Sequence, residues 1–375
     1  MRLYAALAGV VISMIREREY GIDLLRILAM LMICVLHVLR QSGVLAAAQD
    51  SAEYVAAWAL ECACYCAVNC YALISGYVGA ESGFKYRKIA KLWLQVVFYS
   101  LGISVLFHVF APDKASVQRC VQALFPVLEQ EYWYFTAYFG MFFFIPYMNK
   151  LLCSLERRQL NILAATVIVI LCILPSAKQE DIYRLDNGYS ILWLSALYIL
   201  GGCARLCGWK ERLSAPAAVA AYALCAAITW FDVVYMSGKS VMLGGCNLYE
   251  FGKLADYTSP TVLLAGIFLL LAFSHMKLGA KPLIKLLTLL SPATFGVYLI
   301  HTQHLALTYT LRQLCSWLGG CTAGKLVLGA LCMALAVYLA CSLAEIVRAK
   351  LFELLGIPRL IDRAADKISK KTAKV

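Results

Sequence analysis

Glu19-Tyr-Gly-Ile-Asp-Leu-Leu-Arg-Ile-Leu-Ala-Met-Leu-Met-Ile-Cys-Val-Leu-His-Val-Leu-Arg40 decides how this chain is read. It is an apolar helix that carries Arg26 and His37 within its span. Charged and titratable groups are expensive at membrane depth, and where they occur they mark a functional site. Eleven residues at about 100° each make about three turns, so Arg26 and His37 lie on nearly one face, about 16 Å apart along the axis. Asp23, three residues before Arg26, shares that face. An acid, a base and an imidazole therefore stand in line, with only apolar residues between Arg26 and His37.

The rest of the composition supports a bilayer environment. Of 375 residues, 62% are hydrophobic and 15% charged, and the mean hydropathy is +0.74. A soluble domain averages about 45–50% apolar and about 25% charged. The expected fold is an all-α, polytopic bundle of about ten spans, near 22–39, 54–78, 89–111, 132–152, 160–177, 189–207, 214–236, 259–276, 290–316 and 325–347. On one side, at alternate loops, the adjoining span ends and both termini, lie 24 of the 34 Lys and Arg residues. Nine lie on the other side, and Arg26 is the one left over. The alternation places both termini in the cytoplasm and accounts for the net charge of +12 without a nucleic-acid partner.

Three regions follow from this count: a lead-in over 1–21, one membrane domain over 22–352, and a basic tail over 353–375, read as a solvated run at the anionic leaflet surface. Residues 3–15 are too short to span, so the lead-in is either an in-plane segment or an over-long start ahead of Met14. The sixteen cysteines lie mostly inside apolar runs. There Cys behaves as a small hydrophobe, and the period of two in Cys62, Cys64 and Cys66 matches no helical face, so no metal is expected there.

His37 is a candidate general base, because an imidazole titrates near neutral pH. The competing reading ties it to a neighbouring helix by one hydrogen bond. Glu131 and Glu61 are candidates to orient it. Ser75-Gly76 offers a close backbone approach, or ordinary small-residue packing. Lys88 and Lys91 open the third span, where basic residues anchor a helix or receive a phosphate. Trp133 and Tyr134 stand in an aromatic belt at the start of the fourth span, beside Glu129. Tyr298 and His301 share a face in the ninth, as do His301 and His304, with no third metal ligand in evidence. His108 and His275 read as interfacial, and Glu345 is expected to pair with Arg348.

Asp-Leu-Leu-Arg-(ten residues)-His, the later Ser75-Gly-Tyr, the Trp-Tyr start of the fourth span with Pro146, and Tyr298-Leu-Ile-His resemble, in order, the membrane acyltransferase family 3. The resemblance runs from about Arg16 to Phe352. These are integral-membrane O-acyltransferases of bacterial surface polysaccharides, and the resemblance implies a bacterial plasma-membrane enzyme moving acetyl from acetyl-CoA to a sugar hydroxyl. It implies donor binding by Arg26, Ser75, Gly76, Lys88 and Lys91, and catalysis at His37 with Glu131 or Glu61. It further implies acceptor contacts from Trp133, Tyr134, Tyr298 and His301, on a polysaccharide or lipid-linked sugar. Lys88-x-x-Lys91 stands where the family has Arg-x-x-Arg, which keeps the charge without the bidentate fork. A transporter or flippase for a lipid-linked saccharide is the alternative. It predicts inverted repeats, and none is visible.

Overall fold

The computed structural model describes residues 18–49, 51–83, 86–243 and 246–372. The lead-in before Arg18, Lys85 and the last three residues of the tail lie outside the described residues. The chain is 78% helical, with one two-stranded hairpin. In chain order the main helices are α1 (Tyr20–Ser42), α2 (Ala52–Cys64), α3 (Ala67–Gly79), α4 (Tyr86–Phe110), α5 (Trp133–Phe142) and α6 (Ile145–Ser154). They continue as α7 (Arg157–Lys178), α8 (Ile191–Leu206), α9 (Ala215–Met236), α10 (Pro260–Ser274), α11 (Lys281–Thr302), α12 (Ala323–Leu354) and α13 (Ile357–Thr372). Strands β1 (Ser240–Leu243) and β2 (Cys246–Glu250) pair antiparallel between α9 and α10.

Seven described stretches are long and apolar enough to cross a membrane: α1, α2 with α3, α4, α7, α9, α11 and α12. The expected ten is therefore not reproduced by length alone. The fourth expected span breaks at Phe143–Phe144, because Pro146 sits in the first turn of α6 and cannot donate into the preceding helix. The sixth and eighth, α8 and α10, are apolar but shorter. The ninth is displaced. Its helix begins at Lys281, with Pro282 in the first turn, and stops at Gln303. The Gln303 side-chain oxygen accepts from the backbone N–H groups of Leu305 and Ala306, which caps a separate short helical return. The tail is helical over Ile357–Thr372, and Asp362 pairs with Lys91 (Nζ–Oδ1 2.9 Å).

The helix that carries Arg26 and His37 is the hub. It packs against α2, α3, α10, α11 and α12, and 67% of its most apolar window is buried inside the protein, against 22% for α7. It ends at Gly43, whose φ of +78° gives the left-handed cap that a side chain resists. The tightest helix pair is α3 with α8. A Cβ on Gly76 would overlap the Tyr198 carbonyl, and one on Gly201 the Leu73 carbonyl. Gly76 therefore does the work of close helix packing. Gly76→Ala and Gly201→Val are each expected to destabilise the folded protein by about 1–3 kcal/mol, read as a lowered melting temperature in detergent. Gly102→Ala, on α4 with nothing within 4 Å of its Cβ position, should leave that temperature unchanged.

Candidate active site

Two cavities lie along α1. The first, of about 590 Å³, is lined at the N-terminal end of α1 by Arg18, Glu19, Asp23 and Arg26, and by Ser75 and Ser291. The buried Asp23 organises its charges. One carboxylate oxygen accepts from Arg26 Nη1 (2.9 Å) and from Ser291 Oγ (2.8 Å), and the other accepts from Arg18 Nε. Asp23 is thus paired with two guanidinium groups, and Glu19, on the same cavity wall, is ion-paired with Arg205. Arg18, counted among the loop charges in the sequence, is the second cation here. Lys88 and Lys91 do not line this cavity.

The second cavity, of about 330 Å³, holds His37, Arg40 and Gln41 with Trp133, Tyr134, Tyr189, Tyr257 and Tyr298. Tyr71, Tyr134 and Phe295 line both cavities and form their common wall. Tyr71 is pinned there, since its hydroxyl donates to the Arg26 carbonyl (2.8 Å). The aromatic mouth is built from distant segments. Trp133 and Tyr189 have ring centroids 4.3 Å apart, and Tyr189 and Tyr257 5.4 Å. A buried relay fixes Tyr257: Trp193 Nε1 donates to Asn69 Oδ1 (3.2 Å), and Asn69 Nδ2 donates to the Tyr257 carbonyl (2.8 Å). Gly188, at φ +92° and against the Tyr257 side chain, lets the loop bring Tyr189 alongside.

His37 and His301 form a pair, with Nδ1 of His37 3.0 Å from Nε2 of His301. The bonding fixes the tautomers. Nδ1 of His301 lies 2.6 Å from the Val297 carbonyl, which can only accept, so that nitrogen carries a proton. In the neutral pair His301 Nε2 then holds a lone pair and accepts from His37 Nδ1–H. His37 is left with a lone pair on Nε2, which has no partner among the described residues and opens on the cavity. This is the arrangement of a general base oriented by a second group.

The two carboxylates expected to orient His37 are engaged elsewhere. Glu131 is ion-paired with Arg119 and accepts from Gln303 Nε2 (3.0 Å). Glu61 accepts from Arg40 Nε (3.3 Å). His301, expected to contact substrate, is buried against His37 and is not among the residues that line this cavity. Tyr298 lines the second cavity. His108 and His275 bond backbone carbonyls, of Ala115 and Leu213. Glu345 pairs with Arg348 and also accepts from Tyr99.

Against known proteins, a family model described as an acyltransferase domain matches residues 19–345, nearly the whole chain. The chain belongs to acyltransferase family 3. No curated protein and no solved structure matches it. The matched region starts at the helix of Arg26 and His37 and ends at Glu345, so both cavities lie within it.

A positioned general base typically contributes about 10²–10⁴-fold to rate. His37→Ala should lose acyl transfer by that order while the protein stays in the membrane, and His37→Gln should be equally inactive, because an amide takes up no proton. His301→Ala should lose about 10-fold or more, with His301→Gln partly restored, since a carboxamide oxygen can accept from His37 Nδ1–H. Rates in membranes at matched protein levels check both. A His37→Gln variant with near wild-type transfer would leave this histidine as a packing group.

Proposed function

We propose that this multi-pass acyltransferase moves an acyl group, most simply acetyl from acetyl-CoA, to a hydroxyl of a cell-surface polysaccharide or lipid-linked sugar. The observation that carries the reading is the pair of cavities on one helix, one holding the Arg18 and Arg26 guanidinium groups and an aromatic one at His37, divided by a wall of shared side chains. Phosphate groups suit guanidinium partners. Arg26 and Arg18 hold the phosphates of the donor, and Ser75 lies along its path. The rise of about 16 Å from Arg26 to His37 is comparable with the reach of a pantetheine arm. Trp133, Tyr189 and Tyr257 offer flat apolar faces on which a sugar ring can stack.

The chemistry then needs few parts. His37 Nε2 takes the proton of the acceptor hydroxyl as its oxygen attacks the thioester carbonyl. The new C–O bond forms, the C–S bond breaks, and the proton on His37 passes to the departing thiolate. His301 steadies the transient imidazolium through its hydrogen bond. The net exchange is one ester for one thioester, with no proton gained or lost.

This reading sets the enzyme in a bacterial plasma membrane with both termini cytoplasmic and ten crossings, α5 with α6, α8 and α10 completing the seven longer ones. Transfer of radiolabel from acetyl-CoA to glycan in isolated membranes tests the function. The wild type should label the acceptor, and Arg26→Ala should raise the KM for acetyl-CoA by about 10-fold or more while the protein stays folded. A wild type that labels nothing from acetyl-CoA overturns the donor assignment. Membrane-impermeant thiol reagents test the orientation: Cys120 should react from outside the cell, and Cys153, exposed at the end of α6, only after the membrane is opened.

A further inference from the structure

Among the described residues, Arg40 is the only Lys or Arg that lines the His37 cavity. It stands three residues beyond His37, so the two side chains share a face of α1 and are separated by about 4.5 Å of helix rise. Its guanidinium is held from behind. Nε donates to Glu61 Oε1 (3.3 Å), Nη2 reaches the Tyr65 hydroxyl (3.5 Å), and the cation lies 6.0 Å from the centre of the Tyr65 ring. Nη1 has no hydrogen-bond partner among the described residues.

Glu61 makes this arrangement unusual. It is fully buried, and its Oε2 has no partner among the described residues. A buried carboxylate answered by one cation costs stability that an apolar residue would not. What the pair provides is a half-exposed guanidinium anchored on its inner side by Glu61, with donors to spare, one turn from the general base.

We propose that Arg40 stabilises the oxyanion that forms on the acyl carbonyl during transfer, with Glu61 as its positioning residue. This rests on the acyl-transfer reading above. When the acceptor oxygen adds to the thioester carbon, the carbonyl electron pair moves onto oxygen, and that negative charge develops beside His37. When the C–S bond breaks, the pair returns and the ester carbonyl re-forms. A donor held in place before the charge appears acts on the transition state and leaves ground-state binding nearly unchanged.

The test is steady-state acetyl transfer by the full-length protein in membranes, with Arg40→Gln, Arg40→Lys and Glu61→Gln. Removal of one oxyanion donor costs about 10²–10³-fold in kcat. Arg40→Gln should show that loss with the KM for acetyl-CoA and for acceptor within about 2-fold of wild type. Arg40→Lys should lie between, and Glu61→Gln should lower kcat alone by a smaller factor. Added guanidinium ion should restore part of the kcat of an Arg40→Ala variant while leaving its melting temperature in detergent unchanged, which a purely structural role does not predict. Should Arg40→Gln fail to accumulate because Glu61 is stranded, the double variant Arg40→Gln/Glu61→Gln removes both charges, and it should be folded and slow. An active double variant overturns the proposal. So does a rise in acceptor KM at unchanged kcat, which would make Arg40 a binding site for an anionic acceptor. A wild type without acetyl transfer defeats the donor reading and this proposal together, whereas an active wild type with an unimpaired Arg40→Gln defeats this proposal alone.

Discussion

Everything in this structure follows from where a helix bearing Asp23, Arg26, His37 and Arg40 can be put. Such a helix cannot face hydrocarbon. It must be enclosed, and its neighbours must answer its polar groups one by one. α11 gives Ser291 to Asp23 and His301 to His37, α2 gives Glu61 to Arg40, and α3 gives the Tyr71 hydroxyl to the Arg26 carbonyl. The helices with little to answer, α4, α7 and α9, are the least buried and make the rim.

A second layer of contacts holds the first in place. The glycine contacts between α3 and α8 bring those backbones together, and from α8 the indole of Trp193 reaches Asn69 and so fixes the carbonyl of Tyr257. A cavity wall far from α1 in sequence is thereby positioned by a packing choice made by two residues without side chains. The same economy appears at Asp23, where one buried carboxylate sets two guanidinium groups and a serine at once.

The short-range part of this site was legible in the sequence. Asp23 with Arg26, and Glu345 with Arg348, are three-residue pairs that any helix brings together. Trp133 and Tyr134 stood out as aromatics at a span end. Partnerships across helices were not legible, because nothing local encodes which face meets which. His37 and His301 are 264 residues apart and Glu61 lies 21 residues from Arg40, so the sequence offers Glu61 to His37 as readily as to Arg40, which is where the structure places it. Arg40 and Arg18 carried a usable signal, their nearness to His37 and Asp23, but were counted only as loop charges. Tyr189 and Tyr257 come from loops and follow no helical period. Span limits failed where the backbone follows Pro146 and Gln303, since hydropathy averages over a window and a cap or a proline acts at one residue.

The wall of Tyr71, Tyr134 and Phe295 also bears on what can lie along α1. The three side chains line both cavities, and Tyr71 is tied by its hydroxyl to the backbone of α1. A molecule long enough to occupy both cavities at once would have to thread between these rings, so they set the gauge of whatever crosses.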